Sequence, residues 1–196
     1  MFYIWYAIMK KVIFFLLLTQ LIFTKGFSQY DVNSIFIKTI ENRNFNWGTL
    51  DGKLRAIVFL EPECPLSQQY TLPLKKLQEK YGNLLSVVGV FAGNNYTDSD
   101  YKNFKKKYQI SFDLLKDEDF HLVKLLNATI TPQIFLLDNK GHLLYHGAID
   151  DRVVSLGFAR PSATKYYVEA AINSYINHLP ININETKAIG CFIEIH

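Results

Sequence analysis

The run Ala56-Ile57-Val58-Phe59-Leu60 constrains this chain more than any other feature. Five consecutive apolar residues leave no polar face for water, so the segment reads as a strand buried on both sides. It ends in Glu61-Pro62. From Pro65 to Tyr81 the apolar Leu66, Tyr70, Leu74, Leu77 and Tyr81 recur at helical spacing until Gly82 stops them. Pro73 lies inside that helix and is expected to kink it. Leu84 to Phe91 reads as a second buried strand. Asp98 or Ser99 is then expected to cap a helix through Tyr108, with Tyr101, Phe104 and Tyr108 on one face. Phe112 to Leu115 is a short extended piece, and Asp119 opens a helix to about Leu126.

The pattern changes after that. Gln133 to Leu137, the turn Asp138-Asn139-Lys140-Gly141 and His142 to Gly147 read as an antiparallel hairpin. A last helix is expected from Ser162 to Asn177. The stretch from His178 to His196 lacks helical periodicity. The fold class is therefore α/β: a mixed central sheet, parallel in its first half and closed by an antiparallel hairpin, flanked by helices.

The N-terminus reads differently. Met9-Lys10-Lys11 precedes the apolar Val12 to Leu18, then Leu21-Ile22-Phe23 and the small-residue stretch Gly26-Phe27-Ser28. That order describes a secretory signal cut near Ser28/Gln29. A retained anchor is disfavoured because Lys10 and Lys11 interrupt the apolar run. Three of the 21 basic residues (Lys10, Lys11, Lys25) and none of the 18 acidic ones fall in residues 1–28, so the remainder carries no formal net charge. Neither a nucleic-acid partner nor a stable membrane anchor is expected. The organisation expected is a signal peptide (1–28), a lead-in (29–44), one domain (45–178) and an irregular tail (179–196) carrying Cys191, with the mature protein periplasmic or extracellular.

Phe59-Leu60-Glu61-Pro62-Glu63-Cys64 sets a cysteine past a buried strand at the mouth of a helix, and Thr131-Pro132 directly precedes the hairpin. With Cys64-Pro65-Leu66-Ser67, Gly147 to Arg152 and the tail Glu185 to Cys191, the chain resembles the thioredoxin superfamily on its redoxin side, the alkyl hydroperoxide reductase/thiol-specific antioxidant type. The resemblance runs from about Phe45 to Asn177. It implies a thiol-dependent oxidoreductase with Cys64 as nucleophile on protein disulfides or peroxides, an external thiol reductant and no cofactor. It also implies a cis Pro132, which would leave the Thr131 backbone free to pair with an extended substrate strand.

The residues give that cysteine its own logic. Unpaired amides at a helix N-terminus stabilise a thiolate, and Pro65 suits the first turn. Ser67 is placed to donate a hydrogen bond to the sulfur, whereas Glu61 and Glu63 oppose ionisation. Two departures limit the mechanism. Ser67 stands where a dithiol site has its second cysteine, so nothing inside the motif resolves a mixed disulfide on Cys64. Glu61 stands where a peroxiredoxin has threonine or serine.

Cys191 leaves three readings open: a resolving thiol for Cys64, the partner in a permanent disulfide, or a free cysteine. Two rival functions also stand. One is a copper- or other metal-binding module using Cys64 and Cys191 with His142, His146 or His196, although no histidine lies at a familiar ligand spacing and no metal is assigned. The other is a non-catalytic binding domain that kept the fold. Asp150, Asp151, Arg152 and Arg160 are expected to form local ion pairs and hydrogen bonds.

Overall fold

The computed structural model describes residues 29–195, so the expected signal peptide lies outside the described residues. Ten strands are numbered in chain order. They are β1 (Lys38–Thr39), β2 (Leu54–Leu60), β3 (Leu85–Ala92), β4 (Asp113–Asp117), β5 (Ile130–Thr131), β6 (Gln133–Leu137), β7 (Leu143–Gly147), β8 (Val153–Ser155), β9 (Phe158–Ala159) and β10 (Cys191–Phe192). Four α-helices accompany them: α1 (Pro65–Tyr81), α2 (Asp98–Lys107), α3 (His121–Leu126) and α4 (Tyr167–Ile176).

Six strands form the central sheet in the order β1-β4-β3-β2-β6-β7. β2 pairs parallel with β3 and β3 parallel with β4, whereas β6 joins β2 antiparallel and β7 continues the hairpin. This is the mixed sheet expected. All seven residues of β2 are buried because each face meets its own core. Ala56, Val58 and Leu60 pack against Tyr70, Leu74 and Leu77 of α1, with Val168 and Ile172 of α4. Ile57 and Phe59 point the other way, toward Trp47, Leu122 and Val123. The period of two thus sends apolar residues into both layers, and a continuous apolar run results.

Several expectations are corrected. The lead-in contributes β1, which pairs with β4, so the sheet starts ahead of Phe45. α2 is capped by Thr97, not by Asp98 or Ser99: Thr97 and Asp100 exchange side-chain and backbone hydrogen bonds in a capping box. α3 begins at His121, two residues after Asp119, and the Asp117 carboxylate accepts the Val123 amide at 2.9 Å. α4 begins at Tyr167, not Ser162, because Thr164 and Lys165 are held by Asp151. The tail expected to be irregular contains β10, which pairs antiparallel with β5. Among the described residues, no helix is long and apolar enough to cross a membrane.

Candidate functional site

Cys64 is the N-cap of α1, carried there by the end of β2 and the turn Glu61-Pro62-Glu63, with Pro65 at the first helical position. Its side chain is only 1% exposed. The thiol donates to the Thr131 carbonyl at 3.3 Å, and the Thr131–Pro132 peptide is cis. Ser67, fully buried one turn into α1, accepts the Glu61 amide at 3.1 Å. Its amide and hydroxyl face the Cys64 sulfur.

The fourth participant comes from the tail. Antiparallel pairing of β10 with β5 sets Cys191 opposite Thr131, and the Ile193 amide donates to the Thr129 carbonyl at 2.9 Å. Gly190 makes this approach possible: a Cβ there would lie 1.9 Å from the Thr131 carbonyl oxygen. Further back, the tail is fastened to the end of β7. The His146 amide donates to the Asn184 carbonyl, and the Thr186 amide donates to the His146 carbonyl, both at 3.0 Å. The Cys64 and Cys191 sulfurs and a Glu61 carboxylate oxygen consequently lie within 4.8 Å of one another. The two sulfurs are not joined by a disulfide in this structure.

The two thiols differ electrostatically. Burial pushes Cys64 up, but hydrogen bonds from the Cys191 thiol, the Ser67 and Cys191 amides and the Ser67 hydroxyl outweigh it, and the net shift is downward. Cys191 moves up to about 12, first through burial, then through the hydrogen bond its thiol donates to Cys64 and through the charges of Cys64 and Glu61. Cys64 is therefore the thiol of the pair that ionises more readily, and Cys191 the one that keeps its proton. Glu61 is held at one oxygen by the Tyr96 hydroxyl at 3.0 Å, while Thr131 Oγ1 lies 3.4 Å from both its other oxygen and the Cys191 carbonyl. Burial and the Glu61 charge push the Tyr96 phenol up, which keeps it a donor. A cleft of about 420 Å³ opens onto Cys64, Cys191, Glu61 and Tyr96.

The AhpC/TSA family matches residues 31–146, more than half of the chain. The chain belongs to the AhpC/TSA family. Solved structures agree with the thioredoxin-like fold of this AhpC/TSA protein. A hypothetical protein from Sinorhizobium meliloti 1021 superposes with a TM-score of 0.72 at 23% identity, over 88% of this chain and 97% of its own. An uncharacterized conserved protein from Geobacillus kaustophilus gives 0.72 at 18% identity, over 88% and 94%. A secreted disulfide oxidoreductase from Mycobacterium tuberculosis gives 0.53 at 18% identity, over 72% and 95%. No curated protein sequence matches the chain significantly.

Sequence reasoning singled out Cys64, Ser67, Thr131, Pro132 and Cys191, and the fold brings them to one place. His142 and His146 lie away from it. His142 lies 2.9 Å from Asp138, and His146 stacks on Phe135 and lies 3.7 Å from Glu185; His196 lies outside the described residues. Tyr96 carries no sequence signal of its own, and Gly190 enters only within the tail Glu185 to Cys191. The Glu61 charge, expected to oppose ionisation of Cys64, acts on Cys191 and pushes its thiol up. Asp151 and Arg160 make local contacts, whereas Asp150 and Arg152 also reach α1, the Arg152 guanidinium donating to Gln69 at 3.2 Å. Tyr70 donates to Asp150, the Arg152 amide donates to Asp150 at 2.9 Å, and Arg160 lies 3.6 Å from the Asp151 carboxylate.

Proposed function

We propose that this AhpC/TSA protein is an exported two-cysteine thiol oxidoreductase, with Cys64 the nucleophile, Cys191 the resolving thiol and a protein disulfide the substrate. The observation that carries this reading is Cys191, set beside the Cys64 sulfur by β10. The Cys64 thiolate attacks one sulfur of the substrate disulfide, and the other sulfur leaves as a thiolate. Cys191 then gives up its proton and attacks the mixed disulfide at Cys64. The second substrate thiolate leaves, and a Cys64–Cys191 disulfide remains. An external dithiol reductant returns two electrons and closes the cycle.

Ser67 supports the thiolate through its amide and hydroxyl. Thr131 aligns both sulfurs, through its carbonyl to Cys64 and its register with β10 to Cys191. The carboxylate of Glu61 disfavours a peroxide substrate, because it accepts hydrogen bonds and offers none to the peroxide oxygens. The open cleft favours peroxide as the second reading, since a small molecule reaches it with β10 in place.

Insulin reduction and hydroperoxide consumption, each with an external dithiol, test both substrates. Cys64→Ser is expected to abolish turnover. Cys191→Ser, without added small thiol, should stop after one turnover with Cys64 trapped as a mixed disulfide detectable by mass. Undiminished multiple turnover by Cys191→Ser removes the resolving role, and equal behaviour of wild type and Cys64→Ser leaves a binding domain. Export is supported by the pattern in residues 1–28, and the mature N-terminus is expected near Gln29. Recovery of the intact apolar N-terminus in membranes would overturn it.

A further inference from the structure

The wall around Cys64 contains Glu61, Glu63, Glu194 and both thiols, but no Lys, Arg or His side chain lines the described cleft. Three acidic groups, Glu61, Cys64 and Cys191, crowd within 4.8 Å. Glu61 is held by two hydroxyls, from Tyr96 and Thr131, and among the described residues it makes no ion pair. Such a concentration of ionisable donors beside a buried sulfur, with no cation among them, suits a metal that displaces the thiol protons. The donor types choose which one. Thiolates select a soft or borderline metal, and two thiolates with one carboxylate suit zinc, which keeps a fourth position for water where a site is open.

We infer that reduced Glu61, Cys64 and Cys191 form a binding site for one Zn²⁺ ion, with a cleft water as fourth ligand. Zn–S bonds of about 2.3 Å and a Zn–O bond of about 2.0 Å set tetrahedral donors roughly 3.5 Å apart. The present spacing therefore closes by a shift of about 1 Å, which the partly exposed Cys191 on its two-residue strand can supply. The Tyr96 and Thr131 hydroxyls orient the Glu61 carboxylate, as outer-shell groups do around bound zinc. Binding exchanges both thiol protons for the metal and releases them to solvent.

The site and the disulfide exclude each other, because the same two sulfurs serve both. An oxidant such as diamide removes two electrons from the zinc-bound thiolates, forms the S–S bond and expels the ion. Reduction restores the site. Zinc thus protects Cys64 from alkylation and oxidation in proportion to its free concentration.

Titration of the reduced protein with Zn²⁺ against a chromogenic chelator tests this directly. One ion per chain is expected, with release of about two protons near neutral pH. Co²⁺ in place of Zn²⁺ should give the sulfur-to-cobalt charge-transfer absorption and the spectrum of a tetrahedral ion. Glu61→Gln and Cys191→Ser should each weaken binding by at least about tenfold. Prior oxidation to the disulfide should abolish it. Circular dichroism establishes that each variant is folded, and Glu61→Gln keeps acceptor oxygen for the hydroxyl partners. Absence of stoichiometric binding to the reduced protein, or binding unchanged in Cys191→Ser or after oxidation, overturns the site. Thiol turnover is measured with metal chelated, so loss of the zinc site leaves the oxidoreductase reading standing.

Discussion

Asp151 is the most heavily bonded carboxylate beyond the hairpin. The Thr164 hydroxyl donates to it at 2.6 Å, and the Thr164 and Lys165 amides at 2.7 and 2.9 Å. These bonds, the hydroxyl's foremost, hold its pKa down to about 2. An unfolded aspartate has about 3.9. Folding therefore favours the ionised form, so the stabilisation is complete above about pH 5 and is lost as the pH falls toward 2. Asp151→Asn should be less stable at pH 6, and should lose less stability than wild type between pH 5 and 2. Parallel urea midpoints for the two proteins across that window would refute this. The same sign applies to Cys64, whose thiol is held down. Its alkylation should persist to a lower pH than that of a free cysteine, and Cys191→Ala should move the midpoint up by removing the side-chain hydrogen bond to the Cys64 sulfur. Residue types announced these roles only in part. Cys64 at a strand end before Pro65 was legible, but the direction of its shift depended on Cys191, which only the folded tail brings close.

Among elements, the ones that sequence disclosed are those long enough to show a period. β2, β3 and α1 each bury a regular set of residues, and their patterns extend over seven, eight and seventeen residues. β1, β5 and β10 have two residues each, too few for any alternation, and their pairing is decided by tertiary approach. β10 is the element whose loss tests the site. Gly190→Ala places a methyl against the Thr131 carbonyl and should lift β10 from β5 while the Thr186 attachment holds. Cys64, 1% exposed, should then react faster with a bulky maleimide, with the melting temperature changed by only a few degrees. Unchanged labelling would mean that β10 does not cover Cys64. Gly147 serves the other attachment: its φ is +129°, and a Cβ would lie 2.0 Å from the Thr186 carbonyl oxygen. Gly147→Ala should therefore loosen the tail at its root, visible as faster hydrogen exchange at the Thr186 amide.

The whole molecule rests on two apolar layers either side of one sheet, and its stability should respond layer by layer. Leu74 is fully buried between α1 and the sheet, whereas Leu72 on the same helix is 54% exposed. Leu74→Ala should cost about 3 kcal/mol in urea denaturation. Leu72→Ala should stay within about 0.5 kcal/mol. Equal effects would place the core elsewhere. At this scale the sequence disclosed the mixed sheet, because buried runs and a hairpin imply it, but not that residues ahead of Phe45 complete an edge. That edge depends on Lys38 and Thr39 meeting Lys116 and Leu115, a contact with no local signature. The neighbouring positions of Cys64 and Cys191 also bear on how the chain folds. They are the chain's two cysteines, so only one intramolecular bridge is possible and scrambled isomers are not. A bridge made early closes a loop holding most of the sheet and ties β10 to the start of α1, against which β5 packs when the sheet forms. Premature oxidation, hazardous in cysteine-rich chains, here shortens the search for the native topology.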